Sequence, residues 1–346
     1  MYLQSIASAV PPHRFTQAEC WEIIDRSKAK TALRDRSLAL LKKVLTSDNG
    51  IDYRHFAAPC IEKIFDLDGE QLNRTFEAEA PALAGRALAG ALDRAGIKAN
   101  DLNALIICTC TGYLCPGLSS YVAEKAGLRP DAFLQDFVGL GCGAAIPSLR
   151  SASHFTTASP GCRIAVIAVE VCSAAFYLDN DPGVLISACL FGDGASASIW
   201  SSTPGPSGLQ AHSFSTLHRP EDRERLRMEN RAGKLRNKLC KSVPGIAAAA
   251  VRDMFPPSGA KPVAQIIAHP GGRDVLTAIE REIPAYRLGE SSAILKRHGN
   301  MSSPSVLFAL EERLKYHPVH DDLWLVSFGA GFSCHACRVG RVKGEG

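Results

Sequence analysis

The chain has 346 residues, 46% hydrophobic and 21% charged, a composition ordinary for a globular protein with room for one large core or two fused ones. A formal charge of +4 is small for that length and gives no argument for a nucleic-acid or membrane partner. The opening Met1-Tyr-Leu-Gln-Ser-Ile lacks a basic segment followed by an apolar one, and no apolar run approaches the roughly 20 residues that span a bilayer, so a cytoplasmic protein is the expectation.

Tyr2–Val10 reads as a strand, stopped by Pro11-Pro12, and Thr16-Gln-Ala-Glu19 then has the spacing of a capping box that opens a helix. An alanine-rich stretch, Ala80–Ala95, predicts a helix that leads to the strand Ala104–Thr109. A Gly-rich turn follows at Gly139-Leu-Gly-Cys142, then a helix and the strand Arg163–Glu170. Near residue 205 the order begins again: helix Pro244–Met254, strand Val263–His269, the turn Gly299-Asn300, helix Ser303–Lys315, strand Asp322–Phe328 and the turn Gly329-Ala-Gly331. Strand to turn spans about 33 residues in one half and about 31 in the other, and turn to next strand about 21 and about 22. Residues 1–205 and 206–346 are thus two copies of one pattern, with Cys142 and Asn300 at equivalent places. Runs such as Ile164–Val171 are apolar on both faces, as in central strands covered by helices on each side, which predicts an α/β fold.

Three residues in this pattern are candidates for chemistry. Cys142 lies between glycines that permit a sharp turn before a helix, whose N-terminus favours a thiolate; a small buried structural cysteine is the alternative. His269 ends an apolar strand and precedes Pro270-Gly-Gly272, at the strand end where ligand and catalytic groups gather in α/β sheets. Asn300 either caps the following helix or donates its amide to a developing oxyanion. A pseudo-twofold fold would bring the three to one central site.

Five segments then carry a resemblance: Val138-Gly-Leu-Gly-Cys142, Leu190-Phe-Gly-Asp-Gly194, Ile266-Ile-Ala-His-Pro-Gly-Gly272, Gly299-Asn-Met-Ser-Ser303 and Phe328-Gly-Ala-Gly-Phe332. In this order and spacing, over nearly the whole chain, they resemble the motifs of type III polyketide synthases, the chalcone and stilbene synthase family. The resemblance implies the thiolase fold, five-layered αβαβα from two pseudo-twofold related halves. It also implies that Cys142 holds the starter acyl group and the growing chain, while His269 keeps Cys142 ionised and, with Asn300, binds the thioester oxygen as malonyl-CoA loses carbon dioxide. Acyl-CoA and malonyl-CoA are then substrates, no cofactor is needed, and a homodimer is expected.

By the same resemblance Phe191 is a gatekeeper between CoA tunnel and cavity, an aromatic core residue being the alternative. Ser302 is a cavity-lining serine, and Gly331 belongs to a loop shaping the cavity floor, with Ala330 where plant enzymes carry proline. Several positions depart from the plant pattern. Asn237 replaces a second gatekeeper phenylalanine, Cys110 and Thr111 replace a Thr-Ser pair, Ala175 replaces a cavity threonine, and Cys115 stands where a methionine crosses the dimer interface. These exchanges resemble microbial members that take aliphatic starters and form alkylpyrones or alkylresorcinols. A β-ketoacyl carrier-protein synthase III performing one condensation and a non-catalytic acyl-CoA-binding protein are the rival functions.

The rest of the chain is read more simply. Arg219–Lys238, with eight basic and four acidic side chains, is expected to be a solvated loop or helix face rather than a guide for CoA phosphates, a role for which Lys42 and Lys43 are rival candidates. Among the twelve cysteines, Cys108, Cys110, Cys172 and Cys189 read as reduced core residues, and Cys334-His-Ala-Cys337 as strand residues rather than a metal site.

Overall fold

A computed structural model describes residues 1–58, 61–257, 262–317 and 322–341. The first half runs β1 (Tyr2–Ala9), β2 (His13–Thr16), α1 (Gln17–Arg26), α2 (Asp35–Thr46), β3 (Tyr53–Phe56), α3 (Gly69–Ala95), β4 (Ala104–Cys108), α4 (Leu118–Ala126), β5 (Phe133–Phe137), α5 (Ala145–Ala158), β6 (Arg163–Glu170), α6 (Pro182–Leu190) and β7 (Gly194–Ser201). The second runs β8 (Leu209–His218), β9 (Leu226–Arg231), β10 (Lys234–Leu239), α7 (Val243–Met254), β11 (Gln265–Ala268), α8 (Arg273–Glu282), α9 (Gly289–His298), α10 (Ser305–Tyr316), β12 (Leu323–Gly329) and β13 (Ser333–Arg341).

Nine strands form one mixed sheet in the order β11-β12-β13-β8-β1-β7-β6-β4-β5. Outward from the junction of β1 and β8, each half repeats one scheme: an antiparallel neighbour (β7 or β13), another antiparallel step (to β6 or β12), then a parallel partner (β4 or β11). The junction itself is thin, a single pair at Tyr2 and Gln210.

Two-sided apolar strands place the helices. In β4, Ala104, Ile106 and Cys108 pack with α5 and α10, while Leu105 and Ile107 pack with α3 and α4. In β12, Leu323 and Leu325 face α5 and α10 as well, whereas Trp324, Val326 and Phe328 face α7 and α8. Side chains alternate across a strand, so each half-sheet is covered twice and α5 with α10 is the shared middle layer. The result is five layers: α3/α4, sheet, α5/α10, sheet, α7/α8.

Local signals explain most boundaries. Thr16 and Glu19 form the capping box that opens α1. Helix α3 begins eleven residues before the expected Ala80, because Asp68 and Gln71 make a second capping box and the chain carries Pro81 inside the helix. The helix then ends at Gly96, which adopts the left-handed conformation with φ of 66°. Arg219–Lys238 differs from the solvated loop or helix face expected of it: a short turn leads into the hairpin β9–β10, reversed at Ala232 (φ 52°) and Gly233 (φ 74°). Cys334 and Cys337 are buried strand residues of β13, and every described cysteine is a free thiol. Among the described residues, no helix is long and apolar enough to cross a membrane.

Candidate active site

Cys142 sits in a single tight turn, Gly141–Gly143, that leads directly into α5 of the middle layer. Gly141 has φ of 57°, and a Cβ there would stand 2.8 Å from the Ala330 nitrogen. From the other side, a Cβ on Gly329 would meet the backbone nitrogens of Gly143 at 2.6 Å and Cys142 at 2.9 Å. Ser327 Oγ donates to the Gly143 carbonyl at 3.0 Å. The end of β12, from the second half, thus supports the Cys142 turn of the first, and glycine is required on both sides of the contact.

His269 follows β11 at the C-terminal edge of the sheet and is fully buried. Its ring meets the edge of Phe328, centroids 5.3 Å apart, so it too leans on the end of β12. Its Nδ1 has no hydrogen-bond partner among the described residues. Asn300 lies in the turn that opens α10, the other middle-layer helix. Its Nδ2 donates to the Gly271 carbonyl at 3.1 Å and its Oδ1 accepts from the Ser302 N–H at 2.8 Å. These two partners set which end of the amide is nitrogen and leave its second N–H free for an incoming oxygen.

Ser302 completes the set. It is a non-glycine residue at φ of 60°, a sparsely populated conformation held by the Asn300 side chain. In that pose its Oγ donates to Cys142 Sγ at 3.1 Å and lies 3.1 Å from Cys110 Sγ. Behind it stands Glu170, a fully buried carboxylate at the end of β6. It accepts from Thr109 Oγ1 (3.1 Å), Cys110 N (2.9 Å), Thr111 Oγ1 (2.8 Å) and Ser303 Oγ (2.5 Å), and so joins the segment after β4 to the turn before α10. Glu170 is absent from the residues the sequence singles out; its one signal is a charge closing the six-residue apolar run Ile164–Val169.

Burial dominates the electrostatics. It pushes the Cys142 thiol up to about 12; the Ser302 hydrogen bond pulls the other way, and the Glu170 charge adds to the rise. Burial pushes His269 down to about 3. Taken singly, each group is neutral at ordinary pH, so the thiolate-favouring pull expected of the helix N-terminus is outweighed by desolvation. The Ser302 hydroxyl favours the thiolate, and removing it must raise the thiol further. Ser302→Ala is therefore expected to slow iodoacetamide alkylation of Cys142 roughly tenfold between about pH 7 and pH 9, read by mass spectrometry of the Cys142 peptide. An unchanged rate would show that Ser302 does not stabilise the thiolate.

A cavity borders Cys142 and Ser302, and neither His269 nor Asn300 is on its wall. Its wall includes Cys142, Cys110, Thr111, Ala175, Phe191, Asn237 and Ser302, which brings six of the seven sequence-predicted substrate residues to one space with the candidate nucleophile. Gly331 is the exception: it borders a neighbouring cavity, while Ala330 borders both. Phe191 is half-buried, and its carbonyl accepts from the buried Arg54 guanidinium at 2.9 Å. Asn237 donates from Nδ2 to Ser187 Oγ at 2.9 Å. Lys42 and Lys43 stand exposed on α2 and border neither cavity.

The rest of the wall was not expected. Cys172, read as a core residue, borders the cavity, as do Phe176, Tyr177 and Val184. So do Leu226 and Met228 of β9 with Leu235 of β10, residues that alternate with charged ones along the hairpin. That alternation was the available signal, since one face of a hairpin collects every second residue.

Comparison with known proteins bears on this geometry. A family model described as FAE1/Type III polyketide synthase-like protein matches residues 5–253. The chain is 29% identical over 345 residues to the 1,3,6,8-tetrahydroxynaphthalene synthase of Streptomyces peucetius subsp. caesius, covering 95% of this chain and 90% of that protein. It is 28% identical over 325 residues to the 3,5-dihydroxyphenylacetyl-CoA synthase of Amycolatopsis balhimycina, covering 88% and 83%. In fold it is similar to the crystal structure of PKS-I from the brown alga Ectocarpus siliculosus, with a TM-score of 0.89 at 21% identity over 99% of this chain and 98% of that one. The five layers are those of the thiolase fold.

Proposed function

The chain belongs to the FAE1/type III polyketide synthase-like family, and we propose that its Cys142 cavity extends an acyl starter repeatedly with malonyl-CoA units and then closes a ring. As a polyketide synthase it is an acyltransferase that condenses malonyl-CoA units. The observation that carries the reading is the hydrogen-bonded series Cys142–Ser302–Asn300, whose Cys142 and Ser302 stand at the wall of a mainly apolar cavity.

The reaction follows from the groups present. Cys142 gives its proton to His269 as its sulfur attacks the starter thioester, and CoA leaves as the thiol when that proton is passed on. Burial opposes a lone charge on either residue, whereas transfer between them leaves the pair neutral overall. Malonyl-CoA then loses carbon dioxide, and the electron pair of the broken bond becomes an enolate on the thioester oxygen. His269 and the free N–H of Asn300 are the donors for that oxygen. The enolate carbon attacks the acyl carbonyl on Cys142, a carbon–carbon bond forms, the bond to sulfur breaks, and the chain, two carbons longer, is carried by CoA. Return of that chain to Cys142 allows another round. The chemistry needs fixed hydrogen-bond donors, and CoA thioesters are substrates rather than cofactors.

An aliphatic starter suits the apolar wall of Phe176, Val184, Leu226, Met228 and Leu235, with Ala175 and Asn237 where bulkier or aromatic groups stand in plant enzymes. Two relatives are named for polyhydroxylated aromatic products, which supports closure to a resorcinol- or phloroglucinol-type ring, or to a pyrone. A twofold dimer is supported by the edge strand β5, where Phe133 and Leu134, with Val138 just beyond its end, are exposed.

Purified protein given malonyl-CoA and a panel of acyl-CoAs of increasing chain length is expected to release products extended by two or more malonyl-derived units, identified by mass spectrometry. Extension only from malonyl carrier protein, ending after one condensation, would overturn the reading.

A further inference from the structure

Five buried side-chain polar atoms among the described residues have no hydrogen-bond partner: Tyr177 Oη, Arg236 Nε, His269 Nδ1, His298 Nδ1 and Arg313 Nε. An unsatisfied buried group costs about 1–3 kcal/mol, so each calls for a reason. The two arginine nitrogens each face a carboxylate just beyond hydrogen-bond distance, Arg236 Nε at 3.6 Å from Asp179 and Arg313 Nε at 3.7 Å from Glu290. His269 belongs to the chemistry already described. His298 does not border the cavity. Tyr177 does border it, and nothing described so far gives its hydroxyl a task.

The contrast with the other hydroxyls of that wall is sharp. Thr111 donates to Glu170, Ser187 to the Gly183 carbonyl at 2.6 Å, and Ser302 to Cys142. Each of these is committed within the protein, and Tyr177 alone is uncommitted. Its ring is nevertheless held in place. It follows the short turn Cys172–Ala175, and Lys234 of β10 lies over its face, Nζ 5.6 Å from the ring centroid, while donating to the Leu67 carbonyl at 2.8 Å. A rigid aromatic ring with a free donor, beside the apolar side chains of Phe176, Val184, Leu226, Met228 and Leu235 and with Arg227 and Asn237 committed to Glu224, Glu229 and Ser187, is how a mainly apolar site fixes the orientation of a polar ligand.

We propose that Tyr177 Oη donates a hydrogen bond to a keto oxygen of the poly-β-keto chain carried in the Cys142 cavity, and that this contact sets how far the chain is extended before it is released or cyclised. The proposal rests on the condensation reading above. A keto oxygen is an acceptor, and a phenol serves it as donor while it keeps its proton. Burial, with the Asp179 charge adding to the effect, pushes the Tyr177 phenol up to about 12, so it stays protonated throughout the ordinary range. A starter acyl chain without keto groups offers no such acceptor. The contact therefore begins only once condensation has made one, and it acts on extension rather than on loading.

Tyr177→Phe removes one oxygen and keeps the ring. The variant is expected to melt at or above the wild-type temperature, because an unpartnered buried hydroxyl is lost, and to load Cys142 with acyl groups at the wild-type rate. The ratio of the longest product to the singly extended product is expected to fall about three- to tenfold, the worth of one neutral hydrogen bond. Wild-type product ratios in the variant overturn the proposal, and so does a lowered melting temperature, which would mean that the hydroxyl has a structural partner. If the wild-type protein forms no extended product from any acyl-CoA, the condensation reading fails and this inference fails with it; unaltered products in the variant beside an active wild type refute this inference alone.

Discussion

Replacing Cys142 with alanine is expected to reduce product formation below about one thousandth of wild type while malonyl-CoA decarboxylation continues. The two halves of the reaction use different atoms. Chain growth needs a sulfur to hold the acyl group, and the Gly141–Gly143 turn and the Ser302 hydroxyl position the sulfur of Cys142. Decarboxylation needs donors for the thioester oxygen, and these come from the second half of the chain. Cys110 is the rival nucleophile, since its sulfur shares the Ser302 hydroxyl. Burial and the Glu170 charge hold the Cys110 thiol well above the ordinary range, and its place after β4 gives it no helix N-terminus. Intact-mass spectra after brief exposure to acyl-CoA should show one acyl group on wild type and none on Cys142→Ala. An acylated variant, or product at near wild-type yield, would mean that another residue is the nucleophile.

Asn300→Asp should lower malonyl-CoA decarboxylation by about two to three orders of magnitude, the usual cost of losing one donor aimed at a developing oxyanion. Aspartate is almost the same size and keeps the oxygen that accepts the Ser302 N–H, so the turn before α10 retains its anchor. What changes is the other end of the side chain. The N–H pair becomes a carboxylate oxygen, which repels both the Gly271 carbonyl and an enolate. His269→Ala removes the second donor and should cost a comparable amount. The double variant should be little worse than either single one, because both groups act on the same oxygen. Carbon dioxide release from malonyl-CoA, measured without a starter, reads this step apart from condensation. Undiminished release in Asn300→Asp would remove Asn300 from the reaction.

Both predictions depend on residues that were legible before any coordinates. The repeated order of helix, strand, turn and strand placed Cys142 and Asn300 at equivalent turns, and those turns open α5 and α10, the two helices of the shared middle layer. Periodicity revealed this because two-sided apolar strands and the Gly-rich turns before those helices leave strong local marks. Helix α3 was seen only from Ala80 onward, since Pro81 there looks like a first helical residue, while the capping box at Asp68 lies in a polar stretch without apolar rhythm. The hairpin β9–β10 was misread because its charges masked an alternation in which Leu226 and Met228, then Leu235, supply the cavity face.

The sequence by itself determined an α/β fold with central strands covered on both faces, the internal repeat, and which cysteine, histidine and asparagine stand at the ends of related elements. Those are properties of single elements, written in spacing of 2 or 3.6 and in turn residues. Only the tertiary structure decided that Ser302 bridges two thiols, that Glu170 ties both halves together behind them, that Gly331 borders the neighbouring cavity, and that Tyr177 stands at the wall with nothing to bond. Each is a relation between side chains far apart in the chain. Burial and hydrogen-bond satisfaction belong to the packed arrangement of several elements at once, and no single segment's pattern contains them.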